Sequence, residues 1–170
     1  AYHVGMTAKY VIEDLARIPV TVDIASEFRY RNPIINKNDL CIFISQSGET
    51  ADTLASLREA KKRGAFTLSI VNVPYSTIAR ESDGIIYTNA GAEIAVATTK
   101  AFSAQLSVAY LIAGFLAKEI GLVDDKFITD FTNEILSLPD KIQLALNTDQ
   151  VTKSLSKPLA KNSSSFLRKP

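Results

Sequence analysis

Apolar positions along the chain fall into two patterns. Short continuous runs are typical of strands buried on both faces of a sheet, and stretches with apolar residues every three to four positions are typical of amphipathic helices. The continuous runs predict strands at residues 20–24, 40–44, 66–71 and 84–87. The periodic stretches predict helices at residues 5–16, 26–30, 50–63, 76–82, 98–119 and from 124, with an amphipathic piece around 142–146. Because strand and helix alternate, the order predicts an α/β fold, a three-layer α/β/α sandwich around a parallel sheet.

Punctuating residues support these boundaries. Pro19 is predicted to stop the first helix, Gly64 to end the third, and Pro139 to end or kink the helix that starts at 124. Ser26 is predicted to cap the short second helix. We predict one domain over residues 1–150 and a tail over 151–170, disordered from about 161.

Composition narrows the class of protein. The 170 residues are 46% hydrophobic and carry a net charge of +1, which is typical of a globular domain and gives no field to hold nucleic acid or an anionic membrane. Cys41 is the single cysteine and lies in an apolar run, so we interpret it as a buried structural thiol in a reducing compartment.

Two segments bear on location in the cell. The N-terminus has no basic stretch followed by an apolar block, so we predict no signal peptide and a cytoplasmic protein. Residues 101–117 carry no charge, and we interpret them as a helix buried in a core or a subunit interface rather than a membrane span.

The stretch Ser-Gln-Ser-Gly-Glu-Thr, residues 45–50, joins a predicted buried strand to the first turn of a helix. Ligands of open α/β sheets bind at that end of the strands, and the unpaired amides of a helix start suit an anion. Hydroxyls and an amide add neutral donors, and Gly48 permits a tight turn. No lysine is present, so the loop is not a nucleotide P-loop. The pattern predicts a phosphate site, with a plain helix cap by Ser47 or Thr50 as the alternative.

Residues 45–53 also resemble the sugar-phosphate loop in the first sugar isomerase (SIS) domain of the glutamine–fructose-6-phosphate aminotransferase family. Three further stretches agree with that family in order and spacing, at residues 25–31, 72–83 and 88–102. A lone Ser-x-Ser-Gly-x-Thr is shared by many SIS domains, whereas the four stretches together are specific to this family. The resemblance extends over residues 1 to about 160.

The resemblance implies a flavodoxin-like or Rossmann-like SIS domain that binds fructose 6-phosphate or glucosamine 6-phosphate. Residues carried over to the phosphate are Ser45, Gln46, Ser47 and Thr50, and Val96 would line the sugar through its backbone. The family makes glucosamine 6-phosphate for amino-sugar synthesis, uses no metal or organic cofactor in its isomerase half, and dimerises through its isomerase domains. We therefore expect a homodimer without cofactors.

The family pattern extends past both ends of this sequence. Family members open the domain with a strand and a Gly-Thr turn before Tyr-His, whereas this sequence begins at Ala1. We therefore expect the first strand, two phosphate-site residues and the glutaminase domain to be missing, and residues 151–170 to begin a second SIS domain. The family's general-base glutamate, ring-opening histidine and Schiff-base lysine lie in that second domain and the C-terminal tail, so no catalytic residue is assigned here.

Other groups near the predicted site are interpreted as structural. These are His3, Glu49, Glu93 and Lys100. Whether the chain is itself an enzyme stays open. It is predicted to be a sugar-phosphate-binding fragment without turnover, with a non-catalytic phosphosugar-sensing or dimerisation module and the product of a truncated gene as alternatives.

Overall fold

A computed structural model describes residues 1–92 and 99–159. These ranges form three strands, β1 (Leu40–Ser45), β2 (Phe66–Val71) and β3 (Gly84–Tyr87). They also form eight helices, α1 (Tyr2–Ala16), α2 (Ala25–Phe28), α3 (Ala51–Lys62), α4 (Thr77–Glu81), α5 (Lys100–Glu119), α6 (Asp125–Leu136), α7 (Leu138–Leu146) and α8 (Asp149–Leu159). The chain consists of two compact units, and the boundary between them lies between Ile128 and Thr129.

The sheet of the first unit is parallel, in the order β1-β2-β3. Leu40 lies opposite Phe66 and Ser45 opposite Val71, so β1 and β2 end together at one edge. Helices cover both faces, which confirms the three-layer α/β/α fold with a parallel sheet.

Each face of the sheet has its own core. On one face, α1 packs against α5 through a cluster of mostly small side chains, joined by Ile44 of β1. The buried members are Val4, Ala8, Ile12, Ala16, Ala109, Ala113 and Ala117. On the other face, Phe43 of β1 and Val71 of β2 pack against Leu57 of α3 and Ile78 of α4. Neighbouring residues of β1 point to opposite faces, so one strand contributes to both cores.

The predicted strand at residues 20–24 is wrong. Residues 17–24 form no ladder in the described part of the chain, and β1 pairs there with β2 alone. The Val20 N–H donates instead to the Glu13 side chain at 3.0 Å. A β-branched run becomes a strand only where a neighbouring strand accepts its hydrogen bonds.

Helix ends agree with the sequence at some positions and differ from it at others. Gly64 follows α3 with a φ of +89°, the left-handed conformation expected at a helix stop. The predicted cap by Ser26 is wrong, because α2 begins one residue earlier and Ile24 is its N-cap without a side-chain bond. Pro139 lies in the first turn of α7, where proline is tolerated, so it starts a helix after α6 ends.

Helix α5 is the one helix of the described ranges that is long and apolar enough to cross a membrane, by length and composition alone. Of the most apolar 18-residue stretch of this helix, 39% is buried inside the protein. Ala109 and Ala113 face α1, whereas Leu111 and Phe115 are 42% and 60% exposed. The helix therefore gives one side to the core and leaves an apolar side open.

The second unit is described as far as residue 159. Its helix α7 has no buried side chain among these residues, and Ile142 and Leu146 are exposed. Helix α8 occupies Asp149–Leu159, so the segment predicted as a tail is helical up to that point. Residues 160–170 lie outside the described ranges, and the assignment of a second SIS domain from 151 stays a prediction.

An acid-sensitive bond joins β2 to the start of β3. Asp83 accepts hydrogen bonds from Lys61, from the Thr67 hydroxyl at 2.7 Å and from the Thr67 N–H at 3.0 Å, and these lower its pKa to about 2. An acid with a depressed native pKa stabilises the fold above its unfolded pKa of about 4, and that contribution is lost as the pH falls towards 2.

We therefore expect the melting temperature of the wild-type chain to drop between about pH 4 and pH 2 more steeply than that of Asp83→Asn. Thermal melts at half-unit pH steps measure both slopes. Parallel slopes would contradict the role given to Asp83.

Candidate functional site

The site predicted from the sequence lies where β1 ends and α3 begins. Ser45 is 4% exposed, and its hydroxyl lies 3.1 Å from the Thr50 hydroxyl. The Gly48 N–H donates to the same Ser45 oxygen at 3.1 Å. The buried serine therefore closes the loop on itself and brings the Thr50 hydroxyl to the start of the helix.

The alternative of a plain helix cap is not what the structure shows. Thr50 stands at the N-cap position of α3, yet its side chain makes no capping bond, and its hydroxyl is shared with Ser45 instead. Ser47 accepts the Glu49 N–H at 3.2 Å, a turn inside the loop. The first-turn amides of α3 thus receive no side-chain cap, and such amides form the positive end of a helix dipole.

A second connection, the one that follows β2, binds this loop through hydrogen bonds. After β2 the chain runs from Asn72 to α4, and its backbone donates to the loop at three points. The bonds are Asn72 N–H to the Gln46 carbonyl at 3.2 Å, Thr77 N–H to the Glu49 carboxylate at 2.7 Å and Ile78 N–H to the Gly48 carbonyl at 2.9 Å. We call residues 72–78 the supporting connection, because it fixes the loop without taking part in its hydroxyl cluster.

Gly48 and Ser76 meet at the centre of this contact. Gly48 has a φ of +67°, and a Cβ built there would lie 2.0 Å from the Ser76 hydroxyl oxygen. Ser76 is 3% exposed, and its hydroxyl has no hydrogen-bond partner among the described residues. Only glycine fits here, since both the backbone angle and the space exclude a side chain.

The Asn72 side chain connects a third loop, residues 88–91, to the same edge of the sheet. Its side-chain carbonyl accepts the Ala90 N–H at 2.7 Å and the Thr88 hydroxyl at 3.1 Å, and its amide donates to the Gly91 carbonyl at 2.9 Å. This nearly buried side chain therefore links the end of β2 to the chain that follows β3. That chain leads towards residues 93–98, which lie outside the described ranges.

The predicted site residues are distributed as follows. The hydroxyls of Ser45 and Thr50 come together, Ser47 is exposed at the turn, and Gln46 is half-buried with its side-chain carbonyl unpartnered among the described residues. Val96 and Glu93 lie outside the described residues. The sugar-lining role of Val96 and the structural role of Glu93 stay predictions.

The groups interpreted from the sequence as structural make structural contacts wherever the structure describes them. Glu49 caps α4, as interpreted from the sequence. His3 lies in the first turn of α1 against the Tyr2 ring, and Lys100 begins α5 and donates to the Ala92 carbonyl. Sequence reasoning did not foresee the supporting connection, because its donors are backbone amides, which leave no signature in residue type.

Electrostatics around the loop are mixed. Hydrogen bonding by Thr77, through its side chain and then its backbone, lowers the pKa of Glu49, and the positive Arg80 adds to the effect. Asp52, in the first turn of α3, is paired with Arg29 at 2.7 Å. Both carboxylates near the helix start are thus compensated by a partner, which leaves the neutral donors of the loop to define its chemistry.

This geometry, an open parallel sheet whose first loop leads into an uncapped helix start, agrees with the family comparison. The SIS domain family model matches residues 1–114, and the chain belongs to that family.

Within it, the chain is 57% identical to the glutamine–fructose-6-phosphate aminotransferase of Clostridium tetani over 155 residues, 91% of this chain and 26% of the relative. It is 49% identical to the enzyme of the same name from Bradyrhizobium diazoefficiens over 162 residues, 95% of this chain and 27% of the relative. The chain therefore spans about a quarter of the length of the curated relatives it matches.

Two solved structures also resemble this chain. The C-terminal domain of glucosamine-fructose-6-phosphate aminotransferase from Francisella tularensis superposes with a TM-score of 0.86 and 43% identity, over 92% of this chain and 44% of that one. Glucosamine-6-phosphate deaminase from Thermotoga maritima, at 24% identity and a TM-score of 0.68, covers 86% of this chain and shares its fold.

Proposed function

We propose that this chain is a sugar-phosphate-binding domain whose loop 45–50 holds the phosphate of fructose 6-phosphate or glucosamine 6-phosphate. The observation that carries the proposal is the cluster at the start of α3, where the Ser45 and Thr50 hydroxyls meet beside helix amides with no side-chain cap. Uncapped amides and hydroxyls at a helix N-terminus are suited to a phosphate ester. The relatives are named as aminotransferases of fructose 6-phosphate, and these names support the same ligand.

The proposal concerns binding rather than turnover. General acid–base chemistry needs a base held within reach of the substrate proton, with its pKa tuned to the working pH. The resemblance assigns the base, the ring-opening histidine and the lysine of its family to segments that this sequence does not match. We therefore propose that these 170 residues bind the sugar phosphate without converting it, in the cytoplasm and without a cofactor.

Pairing of two copies is a second part of the proposal. The side of α5 turned away from α1 exposes Leu111 and Phe115, which lie one helical turn apart. A contiguous apolar side on a helix otherwise packed in a core favours contact with another protein surface. We propose a homodimer that pairs through this side of α5. Analytical ultracentrifugation compares the wild type with Phe115→Glu, and we expect a dimer for the wild type and a monomer for the variant. A wild type that stays monomeric at every concentration would contradict the proposal.

The binding proposal is tested by titrating the full chain with fructose 6-phosphate and following backbone amide resonances. We expect the resonances of residues 45–51 to move, with a dissociation constant on the order of millimolar, and unphosphorylated fructose to leave them in place. Thr50→Val removes one hydroxyl at nearly constant volume and should weaken binding about tenfold, the effect of one hydrogen bond to a charged group.

Thr21→Val is the matched control, because Thr21 is exposed in the segment between α1 and α2. It should bind like the wild type. Resonances of the loop that stay unmoved at saturating fructose 6-phosphate would refute the proposed function.

A further inference from the structure

A negative side chain in a loop proposed to hold a phosphate requires an explanation. Glu49 follows Gly48 directly, and its carboxylate adds repulsion for any anion bound at the start of α3. By Coulomb's law alone, a neutral residue at this position would give tighter binding of the anion. The contacts of Glu49 show what offsets this repulsion.

The carboxylate of Glu49 caps a helix that has no cap of its own. Ser76 is the N-cap residue of α4 and makes no side-chain capping bond. The first two amides of α4 are bound by the loop instead, Thr77 N–H by the Glu49 carboxylate at 2.7 Å and Ile78 N–H by the Gly48 carbonyl at 2.9 Å. Carboxylates are favoured acceptors at helix starts, and here the acceptor comes from another part of the chain.

These bonds determine which way the loop amides face. In a trans peptide the carbonyl and the next N–H point in opposite directions, and the described chain has no cis peptide bond. With the Gly48 carbonyl aimed at α4, the Glu49 N–H faces away from it. With the Gln46 carbonyl bound to the Asn72 N–H, the Ser47 N–H also faces away from the supporting connection. Two amides of the loop are thereby oriented away from the supporting connection, and one of them, the Glu49 N–H, also donates to the Ser47 hydroxyl at 3.2 Å.

Charge keeps the capping bond in place at neutral pH. Hydrogen bonding by Thr77 lowers the pKa of Glu49, and Arg80 of α4 faces it with a positive charge. Arg80 is itself held by the Tyr75 carbonyl and the Thr77 hydroxyl. The negative charge of Glu49 is thus partly balanced on the side of α4.

We propose that Glu49 is a positioning residue for the phosphate. By capping α4 across the two connections, its carboxylate holds the peptide from Gly48 to Glu49 in the orientation that turns loop amides towards the ligand. The inference rests on the proposed sugar-phosphate site and adds to it a side chain that does not touch the ligand.

The sign of one substitution separates positioning from simple electrostatics. Glu49→Ala removes a negative charge, so repulsion alone predicts tighter binding of fructose 6-phosphate. Positioning predicts binding at least fivefold weaker. Glu49→Gln keeps an acceptor for the Thr77 N–H and loses the charge, so we expect it to bind at least as tightly as the wild type.

A second variant removes the donor and leaves the charge. Thr77 is the first residue of α4, where proline is tolerated, and the preceding Ser76 already has the extended backbone that proline requires, with φ −60° and ψ 161°. Thr77→Pro should therefore fold, lose the bond to Glu49 and weaken fructose 6-phosphate binding at least fivefold. The control is Glu119→Ala, an exposed glutamate at the end of α5, which should leave the affinity unchanged.

Affinities of all variants are measured by amide-resonance titration of the full chain, with thermal melts to confirm folding. Glu49→Ala or Thr77→Pro binding as tightly as the wild type would overturn the inference, and so would Glu49→Gln binding as weakly as Glu49→Ala. A wild type that binds no fructose 6-phosphate overturns the proposed function and this inference with it. A binding wild type with unaffected variants overturns the inference alone.

Discussion

Replacing Gly48 with alanine should abolish measurable binding of fructose 6-phosphate and lower the free energy of unfolding by about 2–5 kcal/mol. The positive φ of +67° costs an L-residue about 1–2 kcal/mol. Overpacking costs about 1–3 kcal/mol more, because the new Cβ would lie 2.0 Å from the Ser76 hydroxyl oxygen. The loop must move off the supporting connection to make room, and the amides it presents move with it.

Gly121 provides the matched control for this prediction. Its φ is +75°, yet a Cβ there meets nothing within 4 Å, so Gly121→Ala carries the backbone strain without the clash. Urea unfolding and fructose 6-phosphate titration compare the two. Equal losses of stability, or a Gly48→Ala chain that binds like the wild type, would show that contact with Ser76 is unimportant. Adding Ser76→Gly to Gly48→Ala should recover part of both losses.

Substitution of Asn72 by leucine should be the next most damaging change near the site. Leucine has a similar size but leaves the Ala90 N–H, the Thr88 hydroxyl and the Gly91 carbonyl without their partner. An unsatisfied polar group costs about 1–3 kcal/mol, and these groups are half-buried or exposed, so we expect a loss of about 2–4 kcal/mol in the free energy of unfolding. The loop after β3 would also lose its link to β2.

The same change at Asn133 serves as the control, because that side chain is exposed on α6. Asn133→Leu should alter the free energy of unfolding by less than about 0.5 kcal/mol. Urea denaturation of both variants measures the difference. If Asn72→Leu were as stable as Asn133→Leu, the hydrogen bonds of Asn72 would not hold the third loop.

The fold was largely predictable because burial leaves a strong pattern in the sequence. The strands from Leu40 and Phe66 are continuous apolar runs, and such runs need a sheet covered on both sides. Residues 20–24 show the limit of that reasoning. Their β-branched side chains favour an extended backbone, but a strand also needs a partner, and no residue pattern inside the run reveals whether one is present.

The candidate site was predictable in its position but not in its construction. The spacing of Ser45, Gly48 and Thr50 places a polar loop between a strand and a helix, and the structure places it there. Whether the Thr50 hydroxyl caps its own helix or meets Ser45 was not predictable, because both options are close in space and similar in strength. The support from residues 72–78 comes through backbone amides, which every residue except proline has.

The two-sided role of β1 has a consequence for anyone redesigning this domain. Phe43 and Ile44 are adjacent in sequence, and each belongs to a different core. A library that varies the alanine-rich contact between α1 and α5 can therefore be screened separately from one that varies the packing of α3 and α4. The two libraries would share the backbone of the sheet, because β2 as well as β1 is contacted by helices on both faces. Strand β1 ends at Ser45, so affinity for fructose 6-phosphate is a common readout of distortion introduced from either side.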